Sequence, residues 1–111
     1  MEGLELSIFN IISNGGNAKG LVYEAMEAAE KGDFEQADSL MKEADEFLTV
    51  AHQTQTELLQ GEANGDKHDI SLLMVHAQDH LMTSIEVRNL ADMVIRMNKR
   101  LHDLETKDNE K

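Results

Sequence analysis

Along three stretches of this chain, apolar or small side chains recur at alternating steps of three and four, and no proline interrupts any of them. That period keeps one line of side chains on one face of a helix, whereas a half-buried strand would alternate at every second residue. The first line is Leu4, Ile8, Ile11, Gly15, Ala18, Val22, Ala25 and Ala29. The second is Phe34, Ala37, Met41, Ala44, Leu48, Ala51, Gln55 and Leu58. The third is Leu73, His76, His80, Thr83, Val87, Leu90, Val94, Met97, Leu101 and Leu104. The pattern predicts an all-α chain whose helices meet along coiled-coil-like seams. A composition rich in Ala, Leu, Met, Glu and Lys agrees, and a length of 111 residues predicts a single domain over 1–111.

The ends of these helices carry their own signals. Gly32 is suited to a left-handed helix stop, and Asp33 with Gln36 three residues later resembles a capping box, so a second helix begins at once and must return antiparallel to the first. Gly61 is read as closing the second helix, and the polar, glycine-containing stretch from Gly61 to Lys67 as a surface loop. A third helix is expected from about Asp69 to roughly Leu104, with the wholly polar segment 105–111 fraying. The predicted architecture is an up-down-up three-helix bundle. Asn14-Gly15-Gly16-Asn17 sits inside the first helix, where each glycine costs about 1 kcal/mol relative to alanine. It signals either a kink or a close helix contact, and the unbroken seam favours the contact.

Charge removes several classes of function. Ten Lys and Arg against 22 Asp and Glu give a formal net charge of −12, which repels a phosphate backbone, so nucleic acid is not an expected partner. No apolar run approaches the roughly 20 residues of a membrane helix, so no direct membrane insertion is expected. Without cysteine there is neither a disulfide framework nor a thiolate metal site, and Met1 to Glu5 lack the features of a signal peptide. A cytoplasmic location is the expectation.

Polar groups interrupt the third line in one place, where His76, His80 and Thr83 follow one another at helical spacing. Around the same turns lie Ile70, Leu72, Met74, Val75, Ala77, Leu81, Met82 and Ile85, so this half of the helix is apolar on nearly every side. A helix of a three-helix monomer turns one side to solvent, and an all-round apolar segment therefore points to a neighbouring copy of the chain. Asp79 stands in the line Leu72, Val75, Asp79, Met82 and needs a cation, a proton or a hydrogen-bonding partner. In a symmetric oligomer, copies of one aspartate can converge on an axis and share a metal ion, for which hard oxygen ligands suit magnesium better than zinc.

Plainer readings compete with these. Paired histidines one turn apart also occur in zinc hydrolases, but that helix needs a glutamate where Ala77 stands. The histidines can form a satisfied core cluster, and Asp79 can be a neutral or hydrogen-bonded acid. From a different class comes a helical oligomerisation or interaction module, with the third helix as an assembly seam and the imidazoles as polar specificity devices. His52, His68 and His102 lie outside the cluster.

The stretch Val75-His76-Ala77-Gln78-Asp79-His80-Leu81-Met82-Thr83-Ser84 resembles the active-site signature of the lactose/cellobiose-type enzyme IIA proteins of the bacterial phosphoenolpyruvate-dependent sugar phosphotransferase system. The likeness extends to Ile11 through Ala18, the Lys31-Gly32-Asp33-Phe34 turn, Ala51-His52 and the loop before the third helix. It implies a phosphotransferase component in which His76 takes a phosphoryl group from the histidine-containing phosphocarrier protein and passes it to the cognate enzyme IIB. It also implies a homotrimer of three-helix subunits in which Asp79 from each converges on one divalent metal ion, taken here as Mg2+. Gln78 and His80 match the signature as supporting residues, although Gln78 falls nearly opposite His76 on the helix. A neutral imidazole near pH 7 suits such a carrier; His80 is expected to donate a hydrogen bond to the phosphoryl oxygens, and Thr83 to help orient the histidine pair. Family members serve lactose, cellobiose, chitobiose or related β-oligosaccharides, and the residues do not select among them.

Overall fold

The computed structural model describes residues 3–109, folded into three helices: α1 (Gly3–Glu30), α2 (Phe34–Ala63) and α3 (Leu72–Asn109). They form an up-down-up bundle, a rod of 67 × 22 × 20 Å. α1 and α2 pack along the seams read from the sequence. Ile8, Ile11, Gly15, Ala18, Val22, Ala25 and Ala29 are buried on α1, and Ala37, Met41, Ala44, Leu48, Ala51 and Gln55 on α2, with Leu40 added beside them. Much of this interior is alanine, which brings helix axes close but buries little apolar surface per residue. The largest fully buried side chains are only Ile11, Leu81, Val22 and Ser84.

The turn between α1 and α2 is a Schellman motif. Gly32 takes φ +85°, its amide bonds to the Ala29 carbonyl at 3.0 Å, and the Asp33 amide reaches back to the Ala28 carbonyl at 2.9 Å. Asp33 then caps α2 by accepting from the Gln36 amide at 3.1 Å, which is the forward half of the predicted capping box. His102 of α3 closes over this turn, with its ring edge-on to Phe34 at 5.4 Å.

Three boundaries differ from the sequence reading. α2 passes through Gly61 and stops at Ala63, because a second Schellman motif forms at Gly65, whose φ is +102° and whose following amide, Asp66, bonds to the Gly61 carbonyl at 2.9 Å. α3 begins at Leu72 rather than near Asp69, since Ser71 supplies the cap by accepting from the Met74 amide at 3.1 Å. At the other end α3 stays helical through Asn109, although its polar end was expected to fray after Leu104; Glu110 and Lys111 lie outside the described residues.

The larger difference is the face that α3 presents to the bundle. Its buried residues are Ala77, Leu81, Ser84 and Ala91, whereas Leu90, Met97, Leu101 and Leu104 of the predicted seam are more than half exposed. The predicted line lies one residue to the side of this face: Ala77, Leu81, Ser84 and Ala91 each follow one of its members, His76, His80, Thr83 and Leu90, and one residue is about 100° around a helix. Each of the buried alanines and Ser84 lies seven residues from the next, marking where α3 sits closely on α1.

Candidate functional site

The two signature histidines lie on the flank of α3 beside α1. His76 is exposed, His80 is half-buried, and their rings stack nearly parallel, with centroids 5.8 Å apart and planes inclined by 16°. Their i, i+4 spacing superposes them along the helix axis. The close approach of α1 decides which of the two is covered. At that approach the glycines interrupt neither the helix nor its hydrogen bonding; α1 runs straight through them. They are the contact point: a Cβ on Gly15 would lie 3.5 Å from His80 Cδ2 and 3.7 Å from Ser84 Oγ, and one on Gly16 would lie 3.3 Å from His80 Nε2. Of the two readings of Asn14-Gly15-Gly16-Asn17, the close contact is the one adopted.

Ser84, unflagged by the sequence reading, ties the two helices together. Its buried hydroxyl lies 2.7 Å from the His80 carbonyl and 3.2 Å from the Gly15 carbonyl and can donate to either. The signal for it was present in its small size and its seven-residue spacing from Ala77 and Ala91. Thr83 does not orient the imidazoles as expected. Its hydroxyl is spent on the His80 carbonyl at 3.1 Å, the common alternative for a threonine within a helix.

Burial lowers the pKa of His80 below its ordinary 6.5, the positive charge of Lys19 on α1 and then neighbouring His76 lower it further, and the Asp79 carboxylate opposes them. These effects favour the neutral form of His80, with one ring nitrogen protonated and one free. Lys19 was likewise absent from the sequence reading. It stands one turn beyond Gly15 and Gly16 and is the cation of α1 that this imidazole feels.

Gln78 lies on the other side of α3, where its side-chain oxygen accepts from the amide of buried Gln55 on α2. The fold does not bring it beside His76. Asp79 also points away from the histidines, exposed and flanked by Val75 at 51% and Met82 at 43% exposure. These residues with Leu58, Leu59 and Ile70 border an open groove of about 700 Å³ between the end of α2 and the start of α3. Among the described residues no cluster of three or more His, Cys, Asp or Glu within one chain could hold a metal ion. Asp79 thus offers a single carboxylate, and the donor set fits a metal only if further copies of the chain supply the rest.

Further down α3, Arg88 grips Asp45 of α2 through two bonds, Nε to Oδ1 at 2.7 Å and Nη2 to Oδ2 at 2.9 Å, and pairs with Asp92 on its own helix. That hydrogen bonding raises the Arg88 pKa above its already high ordinary value, burial opposing it, so this cation is permanent.

A family model described as the PTS system, Lactose/Cellobiose specific IIA subunit, matches residues 6–99. The lichenan-specific phosphotransferase enzyme IIA component of Bacillus subtilis is 45% identical over 100 residues, covering 90% of this chain and 91% of that protein. The crystal structure of the PTS cellobiose-specific enzyme IIA from Bacillus anthracis is similar with a TM-score of 0.90 at 44% identity, covering 93% of this chain and 94% of that one. A solution structure of the IIA(Chitobiose)-HPr complex of the N,N'-diacetylchitobiose system is similar with a TM-score of 0.80 at 38% identity, covering 92% and 99%.

Proposed function

This chain belongs to the lactose/cellobiose-specific IIA subunit family of the sugar phosphotransferase system, and from that premise we propose that His76 is the residue that carries the phosphoryl group. It accepts the group from the histidine-containing phosphocarrier protein, HPr, and hands it to the cognate enzyme IIB during uptake of a β-linked oligosaccharide in the cytoplasm. The observation that carries the assignment is the contrast between two stacked imidazoles: His76 is open to an approaching protein, and His80 beside it is half-covered by α1. A relative solved in complex with HPr supports HPr as the donor.

The chemistry is a displacement at phosphorus. A lone pair on a His76 ring nitrogen attacks the incoming phosphoryl group, the bond to the donor histidine breaks, and the donor nitrogen keeps that electron pair. The return step repeats the displacement with enzyme IIB as acceptor. His80, neutral and one turn away, offers an N–H to the phosphoryl oxygens, and Lys19 adds positive charge to the same region. Gln78 is held by Gln55 and supports the α2–α3 contact, so any role beside a phosphoryl group is toward a neighbouring subunit.

The same reading includes a homotrimer. Leu72, Val75, Met82, Leu90, Met93 and Met97 leave a largely apolar outer side on α3, and fully covering a leucine or methionine is worth about 1.5–3 kcal/mol. Asp79 lies on that side, and three copies converging would supply the oxygen donors for Mg2+, whose charge would offset the repulsion among carboxylates.

Incubation with phosphoenolpyruvate, the first enzyme of the system and HPr should label the chain once, with acid-labile phosphate at His76. Retained labelling in His76→Gln would reject the assignment, and a chain that never labels would return the helical interaction module. Light scattering at three times 12.4 kDa, falling when metal is chelated from the unsubstituted chain but not in Asp79→Leu, which removes the repelling carboxylates, tests the assembly.

A further inference from the structure

Two observations bear on how His80 keeps its place. The first is spatial: a Cβ added to Gly15 would make contacts of 3.5 Å or more, an ordinary van der Waals fit, whereas one added to Gly16 would meet His80 Nε2 at 3.3 Å, closer than carbon and nitrogen normally sit. The second is mechanical. The Ser84 hydroxyl is buried between the helices, 3.2 Å from the Gly15 carbonyl of α1, and Ala77 and Leu81 are buried against the bundle, so α3 is held close against α1 at this level. The atom that must yield to a side chain at position 16 is therefore the tip of the imidazole.

We propose that Gly16 is a positioning residue for phosphoryl transfer: the space left by its missing side chain is where the His80 ring rests while it lies parallel to His76. The proposal stands on the reading that His76 carries the phosphoryl group. Gly16 touches neither phosphorus nor a partner in this role and acts only through His80. Filling the space displaces the His80 ring tip by a few tenths of an ångström and tilts its N–H away from the oxygens it would stabilise. Transfer between precisely placed groups is sensitive to such shifts, since a displacement of about 1 Å can cost about a hundredfold.

The test is a comparison of Gly16→Ala, His80→Ala, the double variant and Gly20→Ala, all in the full chain with HPr as phosphoryl donor. Gly20 lies one turn along α1, and a Cβ there meets nothing within 4 Å, so Gly20→Ala controls for the change in helix propensity alone. The expected result is that Gly16→Ala slows labelling of His76 by about three- to tenfold through kcat, with KM for HPr nearly constant. Its helix content and melting temperature should be no lower than the unsubstituted protein's, and its His80 ring 15N resonances should shift. In the His80→Ala background, Gly16→Ala should cause no further slowing, because the two substitutions remove the same contact. Unchanged kcat in Gly16→Ala would overturn the proposal. Equal slowing with and without His80, or a change confined to KM, would also overturn it and assign Gly16 to partner docking. Failure of the unsubstituted chain to label at His76 would instead defeat the functional reading beneath it.

Discussion

Arg88→Met should weaken the bundle by about 1 kcal/mol beyond what its packing alone would cost, because α2 and α3 meet least extensively of the three helix pairs and the Arg88–Asp45 bridge spans them. Fully exposed ion pairs contribute about 0.2–1 kcal/mol, and hydrogen bonds to charged groups about 1.5–3 kcal/mol. Here the arginine side chain is 24% exposed and the aspartate 45%, so water screens one partner more than the other and the value falls between those ranges. Two bonds at 2.7 and 2.9 Å in the fork geometry place it at the upper end for a surface pair. A double-mutant cycle with Asp45→Asn isolates the coupling from the loss of the arginine stem, which packs in its own right. Unfolding in urea at fixed protein concentration should give a coupling of about 1 kcal/mol, a shift of a few degrees in melting temperature for a chain of this size. The coupling should shrink at about 1 M salt, where the screening length falls to about 3 Å. A coupling below about 0.3 kcal/mol, or one indifferent to salt, would refute the reading that this bridge stabilises the α2–α3 contact.

Three further outcomes can be measured on the same material. Gly20→Ala should raise stability by about 1 kcal/mol through helix propensity, because nothing stands within 4 Å of the added carbon; a melting temperature that drops would mean that another surface covers this side of α1 in solution. Leu81→Ala, at a position with 0% exposure, should cost about 3 kcal/mol in urea denaturation, and a loss under about 1 kcal/mol would deny it a core role. The folded pKa of His80 lies below the ordinary 6.5, so the unfolded chain binds the proton more readily. His80 accordingly favours folding fully above pH 6.5, and that contribution is lost as pH falls through its lowered folded value. Stability should therefore drop between pH 7.5 and 5.5 by more in the unsubstituted chain than in His80→Asn; equal drops would contradict the direction of the shift.

α1 and α2 were legible in the sequence almost residue by residue, because each buries the same line of apolar and small residues that its three-four spacing marks out. α3 was legible as a helix but not in its orientation. Its inward face carries one large apolar residue, Leu81, among Ala77, Ser84 and Ala91, small residues that a search for large apolar ones passes over, while Leu90, Met93 and Met97 lie outward. The exposed, largely apolar outer side agrees with the inference that α3 is apolar on more than one side. Within the site, the histidine pair and the glycine contact followed from spacing and from the missing side chains. Lys19, Ser84 and the Gln55–Gln78 pair did not, because each depends on which residues of separate helices come to the same level, and that is set by the turn at Gly32 and the cap at Ser71. Thr83 misled because a hydroxyl on a helix can always turn back to its own backbone.

With the two imidazoles on the flank of an all-helical rod, the acceptor proposed at His76 has no door to open. Turnover on such a carrier would then be governed by how often and how well proteins collide with it. A body bearing a charge of −12 draws in basic surfaces and turns acidic ones away. Added salt should accordingly slow the relay at the moment of meeting and leave the speed of the chemical event itself untouched.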